Sequence, residues 1–96
     1  MATNVSEDPI ATIRGALESG RLTINALDDG SGVLLDVDGE QLLTLNRTGM
    51  RLVQAIDEGA SSVEALRDML LEEFEVEAER AEADARAFVG DVAEAL

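Results

Sequence analysis

The hydrophobic period of this chain changes abruptly at Asn46, and no other feature constrains the fold as strongly. Before it, QLLTL at residues 41–45 has the length and the alternation of a short β-strand. The Asn46 side chain can accept the amide of Gly49, which is the geometry of a helix N-cap. After it, apolar residues recur with the spacing of one helical face, at Gly49, Leu52, Val53 and Ile56. A strand must therefore turn directly into a helix, which raises the question of what the outer edge of that strand is for.

Two more strands are predicted before this corner. RLTINAL at residues 21–27 alternates, and VLLDV at residues 33–37 follows the turn-rich segment DDGSG. Asp38-Gly39 is a strong hairpin signal, so the three short strands should form an antiparallel meander. The alternation places Leu22, Ile24 and Ala26 on one face, aligns Val33, Leu35 and Val37, and turns Leu43 and Leu45 inward and Leu42 and Thr44 outward.

Three helices are predicted after the corner. The first should end at Gly59, and the second should open at Ser61–Glu64, which has the pattern of a capping box, and end near Glu73. The third should run from about Glu77 to the end of the sequence. The residues predicted to be buried are Val63, Leu66, Leu70 and Phe74 in the second helix, and Ala81, Ala85, Phe88, Val92 and Leu96 in the third.

Residues 1–20 precede the predicted sheet. MATNVSE, residues 1–7, is short and polar and is expected to fray. DPIATIRGALESG, residues 8–20, has a capping aspartate, a proline suited to the first helical position and a glycine stop, but only a weak apolar stripe. We therefore expect an N-terminal extension at 1–20, a marginal helix or partly disordered, and one domain at 21–96. The predicted class is α+β, winged helix-turn-helix-like, with a three-stranded antiparallel sheet followed by three helices and room for an extra N-terminal helix.

The residue types that the chain lacks exclude most catalytic and metal chemistry. None of its 96 residues is Cys, His, Lys, Trp or Tyr, so thiolate or imidazole zinc sites, Ser-His or Cys-His pairs and Schiff-base lysines cannot be built. DVDGE at residues 36–40 begins like a calcium loop, but the later positions do not fit an EF-hand. Adjacent carboxylates such as Glu72 and Glu73 belong to an acidic run typical of a solvated face. We expect no enzymatic activity, no metal and no cofactor.

The charge of the chain argues against nucleic-acid and membrane partners. It has 21 acidic residues against seven arginines, a net charge of −14. A small sheet with three helices also describes a DNA-binding winged helix, but residues 75–96 carry seven acids against Arg80 and Arg86, and phosphates repel such a region. No apolar stretch approaches the 18 residues of a membrane span, and no signal-peptide pattern is visible. A cytoplasmic protein is the expectation.

The free edge of the sheet is the remaining candidate for function. An outer strand leaves backbone amides and carbonyls unpaired, which promotes aggregation unless the edge is covered or used. A groove between QLLTL and the last helix would accept an extended peptide as an added strand. Alternatively, the N-terminal helix or a second copy of the chain covers this edge, and physical reasoning alone leaves the two interpretations even.

Several short motifs then point to a family. They are Leu45-Asn46 with Thr48-Gly49, DEG at residues 57–59, Ser62-Val63-Glu64, and FEVEAERAEADARAF at residues 74–88. This ordered set resembles the PqqD family, whose fold is known as the RiPP recognition element. The resemblance covers roughly residues 21–96.

The resemblance implies a non-catalytic adaptor. Such a protein holds the leader of a ribosomally made precursor peptide and presents it to a modifying enzyme, often a radical S-adenosylmethionine protein or a leader peptidase. The leader pairs with the third strand and packs against the third helix. Carried over by position, the peptide-binding residues are Gln41, Leu42, Leu43, Thr44 and Leu45 on the strand and Arg80, Ala83, Asp84 and Ala87 on the helix. A self-associating interaction module, with a homodimer through the same edge, is the alternative, and a winged-helix transcription regulator is third.

Two further expectations concern the leader and the last helix. Because the surface is so acidic, a cognate leader should carry basic residues around an apolar core, and salt should weaken its attraction. At the start of the last helix, Glu77 stands where a better capping residue is usual in the family, so that end should be poorly capped.

Overall fold

The computed structural model describes residues 8–96 of the chain. In this range it forms helices and strands in the order α1 (Pro9–Glu18), β1 (Leu22–Ala26), β2 (Gly32–Asp36), β3 (Gln41–Leu45), α2 (Arg47–Asp57), α3 (Val63–Glu73) and α4 (Ala78–Ala95). The strands form one antiparallel sheet in the order β1-β2-β3. The predicted α+β class is confirmed, including the helix before the sheet. The expectation that residues 1–7 fray lies outside the described residues.

The register of the sheet decides which face of β2 is buried, a choice that the predicted alignment of Val33, Leu35 and Val37 left open. Val33, Leu35 and Val37 do share one face, but it is the outer one, and Leu34 and Asp36 are buried instead. The reason is the pairing: Leu34 lies between Ile24 and Leu43 on the face that meets the helices. The inward direction predicted for Leu43 and Leu45 is confirmed. Of the three residues predicted to share one face of β1, Leu22 and Ile24 pack on the core, whereas Ala26, at the end of the strand, is exposed.

The core lies between the inner face of the sheet and the four helices. Its largest side chains are aliphatic, and each contributes roughly 1.5–3 kcal/mol by leaving water. Most of the helix residues predicted for the core are buried, but four of them are only half-buried: Val63, Phe74, Phe88 and Leu96. Val89 is buried although it was not predicted. The buried residues of the last three helices include Leu52, Val53, Ile56, Leu66, Leu70, Ala81, Ala85, Val89 and Val92.

Local capping sets the starts of the helices after the sheet. The amide of Gly49 donates to Asn46 Oδ1 at 2.8 Å, as predicted. Ser62 rather than Ser61 caps α3, accepting the Ala65 amide at 3.1 Å. The N3 position is then Ala65 and not Glu64, so the predicted capping box does not form. Glu77 precedes α4 without a side-chain cap, as expected.

The N-terminal helix α1 is integrated into the same core. Ile10, Ile13 and Ala16 are buried, and α1 packs on α2, α4 and β1. The Arg14 guanidinium donates to the carbonyl of Ala60, which ties α1 to the loop after α2. Among residues 8–96, no helix combines the length and the apolar character needed to cross a membrane.

Candidate functional site

The hydrogen bonds at the two ends of the β1–β2 ladder show which backbone groups of the sheet are paired. Leu27 N donates to Ser31 O at 2.8 Å, and Val37 N donates to Arg21 O at 2.8 Å. Successive residues of a strand direct their backbone groups to opposite edges, so hydrogen-bonded pairs alternate along an antiparallel ladder. The odd-numbered residues of β2 therefore bond to β1, and the residues that bond to β3 are Gly32, Leu34 and Asp36.

β3 is the outer strand, and the same alternation continues into it. Leu42 and Thr44 lie between the residues that bond to β2, so their N–H and C=O groups point to the edge that no other strand of residues 8–96 pairs with. Their side chains are exposed on the outer face of the sheet. Edge groups of this kind form a template for an added strand. The opposing pairs that establish this are Gly32 with Leu45, Leu34 with Leu43, and Asp36 with Gln41.

Two contacts relate helix α4 to the ends of this edge strand, one at its first residue and one just after its last. Gln41 Nε2 donates to Ala95 O at 2.6 Å, close to the C-terminus of the helix. About two turns earlier, Phe88 packs against Gly49 in the first turn of α2. A Cβ atom on Gly49 would lie 2.9 Å from the ring carbon Cε1 of Phe88, so the missing side chain lets α4 approach the point where β3 ends.

An open groove of about 810 Å³ lies along α4, bordered by the first turn of α2 and the α3–α4 connection. Its floor is apolar, with Leu52 buried and Phe88 half-buried. The groove begins at Asn46, directly after β3, so a chain that pairs with β3 reaches it. Its lining residues are Asn46, Thr48, Gly49, Leu52, Glu75, Val76, Glu77, Arg80, Asp84, Ala87, Phe88 and Asp91.

The structure brings only some of the predicted site residues together. Arg80, Asp84 and Ala87 line the groove as one stripe of α4. Ala83 is exposed on the same helix but borders a second, shallower depression beside Glu79, Glu82 and Arg86, which Ala87 also lines. The strand residues 41–45 form the edge and stop where the groove begins. That these residues bind a peptide stays a prediction.

Sequence reasoning missed the parts of the groove that come from outside β3 and α4. These are the first turn of α2 and the segment 75–77 between α3 and α4. Asp91 could have been predicted from the sequence, because it continues the helical spacing of Asp84 and Ala87 by one more turn. The other residues have no local signal, since only the packing of α4 on Gly49 brings them to one groove.

The groove carries an excess of negative charge. Glu75, Glu77 and Asp91 form no ion pair with any other residue of the described range 8–96. Arg80 Nε lies 3.3 Å from Asp84 Oδ2, an exposed pair one helical turn apart that contributes little to stability. An apolar floor with acidic borders suits an apolar segment that carries basic residues.

The side chain of Gln41 is engaged inside the protein. Its Nε2 atom donates to Asp36 Oδ2 at 3.1 Å as well as to Ala95 O. Asp36, buried on the inner face, also accepts from Arg21 Nε and from the Gly39 amide, both at 3.1 Å. These hydrogen bonds, that from Gln41 first, lower the pKa of Asp36 below its ordinary value of 3.8. Gln41 therefore positions β3 against α4. The exposed side chains of β3 that a ligand can contact on the outer face are those of Leu42 and Thr44.

The acidic side chains of the site are of a type that can also ligate a metal ion. Among residues 8–96, no group of three or more acidic side chains is arranged to hold a metal ion. Within the described part of the chain, the site presents backbone groups of Leu42 and Thr44 that no strand pairs with, an apolar floor and carboxylates without ion pairs.

Comparisons with known proteins agree with this architecture. A family model described as coenzyme PQQ synthesis protein D (PqqD) matches residues 31–95. A solved structure of a lasso peptide synthetase B1, complexed with the leader peptide, is 31% identical, covers 77% of this chain and 85% of its own, and superposes with a TM-score of 0.67. TbiB1 in complex with the TbiA(beta) leader peptide is 24% identical, covers 77% and 84%, and has a TM-score of 0.70, which supports the fold alone. No curated protein matches the chain.

Proposed function

The chain belongs to the PqqD family, and on this premise we propose that it is a non-catalytic adaptor for a ribosomally synthesised precursor peptide. It binds the leader of the precursor by strand addition to β3 and presents it to a modifying enzyme, such as a radical S-adenosylmethionine protein or a leader peptidase. It does so in the cytoplasm. The observation that carries the proposal is the unpaired edge at Leu42 and Thr44, next to the groove along α4.

In strand addition, backbone hydrogen bonds supply affinity and side-chain contacts supply specificity. The leader backbone exchanges hydrogen bonds with Leu42 and Thr44, which gives affinity without reading the sequence. Where the leader passes the end of β3, its apolar side chains reach the floor at Leu52 and Phe88. The acidic border at Glu77 and Asp91 then favours basic residues next to that apolar segment. The leader-peptide complex of the 31% identical synthetase supports this assignment.

The test is a proline at the free edge. Thr44→Pro removes an N–H that points away from β2, so the ladder of the sheet keeps its hydrogen bonds while the leader loses one. The affinity for leader segments encoded beside this gene, measured by fluorescence anisotropy, should fall by on the order of tenfold or more, since a backbone hydrogen bond and the fit around it are lost. Leu42→Pro should act in the same way.

Two control variants make this test specific. Thr44→Val keeps the N–H and the branched shape, and it should bind the leader as wild type does. Ala26→Pro places the same ring on the opposite edge strand, where it should leave the affinity unchanged. A folded Thr44→Pro protein with wild-type affinity would place the site elsewhere. If no neighbouring leader binds, and the Leu42 and Thr44 amides resist hydrogen exchange in the free protein, the edge is occupied and the chain is a self-associating module.

A further inference from the structure

The outer face of the sheet carries an exposed apolar patch, most of which lies outside the proposed leader site. Leu35 is 38% exposed, Val37 52% and Leu42 59%. Their alternation along the strands turns them away from the core, and Val33 on the same face is half-buried. We call these four residues the outer patch.

The members of the outer patch are close neighbours. Leu35 and Leu42 lie directly opposite each other on β2 and β3. They form a pair without hydrogen bonds between them, the kind whose side chains approach most closely, about 4.5–5.5 Å between Cβ atoms. A contiguous exposed apolar cluster with polar borders is a candidate docking surface.

The charges around the outer patch indicate what kind of surface fits it. Asp28 and Asp29 lie in the turn at one end of the sheet, and Asp38 and Glu40 lie in the turn at the other, all four exposed. A second copy stacked on this face would place acidic turn against acidic turn in either orientation, which costs free energy. A partner with an apolar patch bordered by lysine or arginine is complementary instead.

The outer patch is continuous with the proposed leader site. Leu42 belongs to both, because its backbone points to the free edge while its side chain lies in the patch. A strand that pairs with β3 must direct every second side chain to the outer face, beside Leu42 and Thr44. The bound leader thereby widens the patch by one strand.

We propose that this widened outer face, made of the outer patch and the bound leader strand, docks the modifying enzyme through an apolar surface bordered by basic residues. The inference rests on the proposed leader-binding function and adds the place of the second partner. One consequence is thermodynamic coupling: the leader should raise the affinity for the enzyme, and the enzyme should raise the affinity for the leader by the same factor.

The test separates the two partners. In the double variant Leu35→Thr/Val37→Thr, both positions receive a residue suited to extended backbone, and neither position belongs to β3. Affinity for the purified modifying enzyme encoded beside this gene, measured by calorimetry with the leader segment present, should fall by on the order of tenfold or more. The affinity for the leader alone, measured by anisotropy, should stay within about twofold of wild type. Leu71→Thr, which alters an equally exposed leucine on α3, should change neither affinity.

The possible outcomes are distinguishable. Loss of enzyme affinity with leader affinity retained supports the inference. Enzyme affinity equal to wild type in the double variant overturns it, and so does a double variant that merely dissociates a dimer in sedimentation without changing enzyme affinity. If deletion of residues 2–7 raises enzyme affinity in wild type but not in the double variant, that segment covers the patch and the inference is likewise wrong. A wild-type protein that binds no leader contradicts the proposed function instead.

Discussion

At the scale of single residues, Asp36 links the edge strand to the end of α4. It is fully buried on the inner face and accepts hydrogen bonds from Arg21, Gly39 and Gln41. The two long donors continue outward, since Arg21 Nη2 donates to Leu96 O at 2.7 Å and Gln41 donates to Ala95 O. A buried carboxylate is tolerated only when it is paired in this way. The negative charge of Asp36 therefore orients Gln41, whose amide holds the start of β3 against the last turn of α4.

The variant Asp36→Asn tests this role through its pH dependence. Because hydrogen bonds from Gln41 and Arg21 lower the pKa of Asp36 in the folded state, its charged form contributes stability above the ordinary value of 3.8 and loses that contribution as pH falls through the lowered pKa. Wild type should exceed Asp36→Asn in free energy of unfolding by a constant amount between about pH 5 and 7. Below pH 3.8 the difference should shrink. Urea titrations across this range measure it, with Asp38→Asn, an exposed turn residue, as the control.

A difference that stays constant down to pH 2, about where most carboxylates are protonated, would mean that Asp36 acts by shape and not by charge. If the difference in free energy of unfolding between wild type and Asp36→Asn grows on acidification, the pKa of Asp36 is raised in the folded state and not lowered.

At the scale of elements, α1 belongs to the domain although the family match begins after it. The family model covers residues 31–95, whereas α1 ends at Glu18. Ile13 is completely buried, and the helix packs on α2, α4 and β1. We therefore place α1 in the same cooperative unit as the rest of the described chain, a domain boundary that the family resemblance alone does not give.

The variant Ile13→Ala tests this boundary. Removing a buried isoleucine side chain leaves a cavity and should lower the free energy of unfolding by about 2–5 kcal/mol. Ala11→Ser, on the exposed face of the same helix, should cost about 0.5 kcal/mol through helix propensity alone. Chemical denaturation monitored by circular dichroism gives both values. Equal and small costs would show that α1 docks loosely and that the domain begins later.

The elements also show where sequence reasoning succeeds. The ends of strands and helices were predictable because they depend on neighbours in the chain: Asn46 caps through Gly49, three residues away. The face of β2 was not, because VLLDV has apolar residues at both alternating positions. Only the pairing with β1 and β3 turns Leu34 and Asp36 inward, and the partners that make a buried Asp36 acceptable lie elsewhere in the sequence.

The candidate site divides in the same way. Arg80, Asp84 and Ala87 were named from the family resemblance, and they line the groove. The groove itself forms because α4 approaches Gly49. No sequence pattern near Glu75 and Glu77 indicates that they border it. Tertiary packing adds these acids to the site.

At the scale of the whole molecule, the net charge of −14 acts on every partner. It repels nucleic acid and other copies of the chain, and it attracts a basic peptide from a distance. The groove concentrates this effect, because Glu75, Glu77 and Asp91 stand at its border without ion pairs among residues 8–96. Because salt screens distant charges more than close ones, varying the salt concentration should separate the long-range attraction of the leader from its local contacts in the groove.

The last prediction uses that separation. For a leader with basic residues beside its apolar segment, the dissociation constant should rise by roughly tenfold between about 0.05 M and 0.5 M salt, because added salt shortens the screening length. Glu77→Gln/Asp91→Asn should weaken binding at low salt and flatten this dependence. Glu72→Gln/Glu94→Gln changes the net charge equally but outside the groove, so it should keep most of the slope. Equal slopes in the two double variants would assign the attraction to the net charge of the molecule, and a dissociation constant independent of salt in wild type would exclude a basic leader altogether.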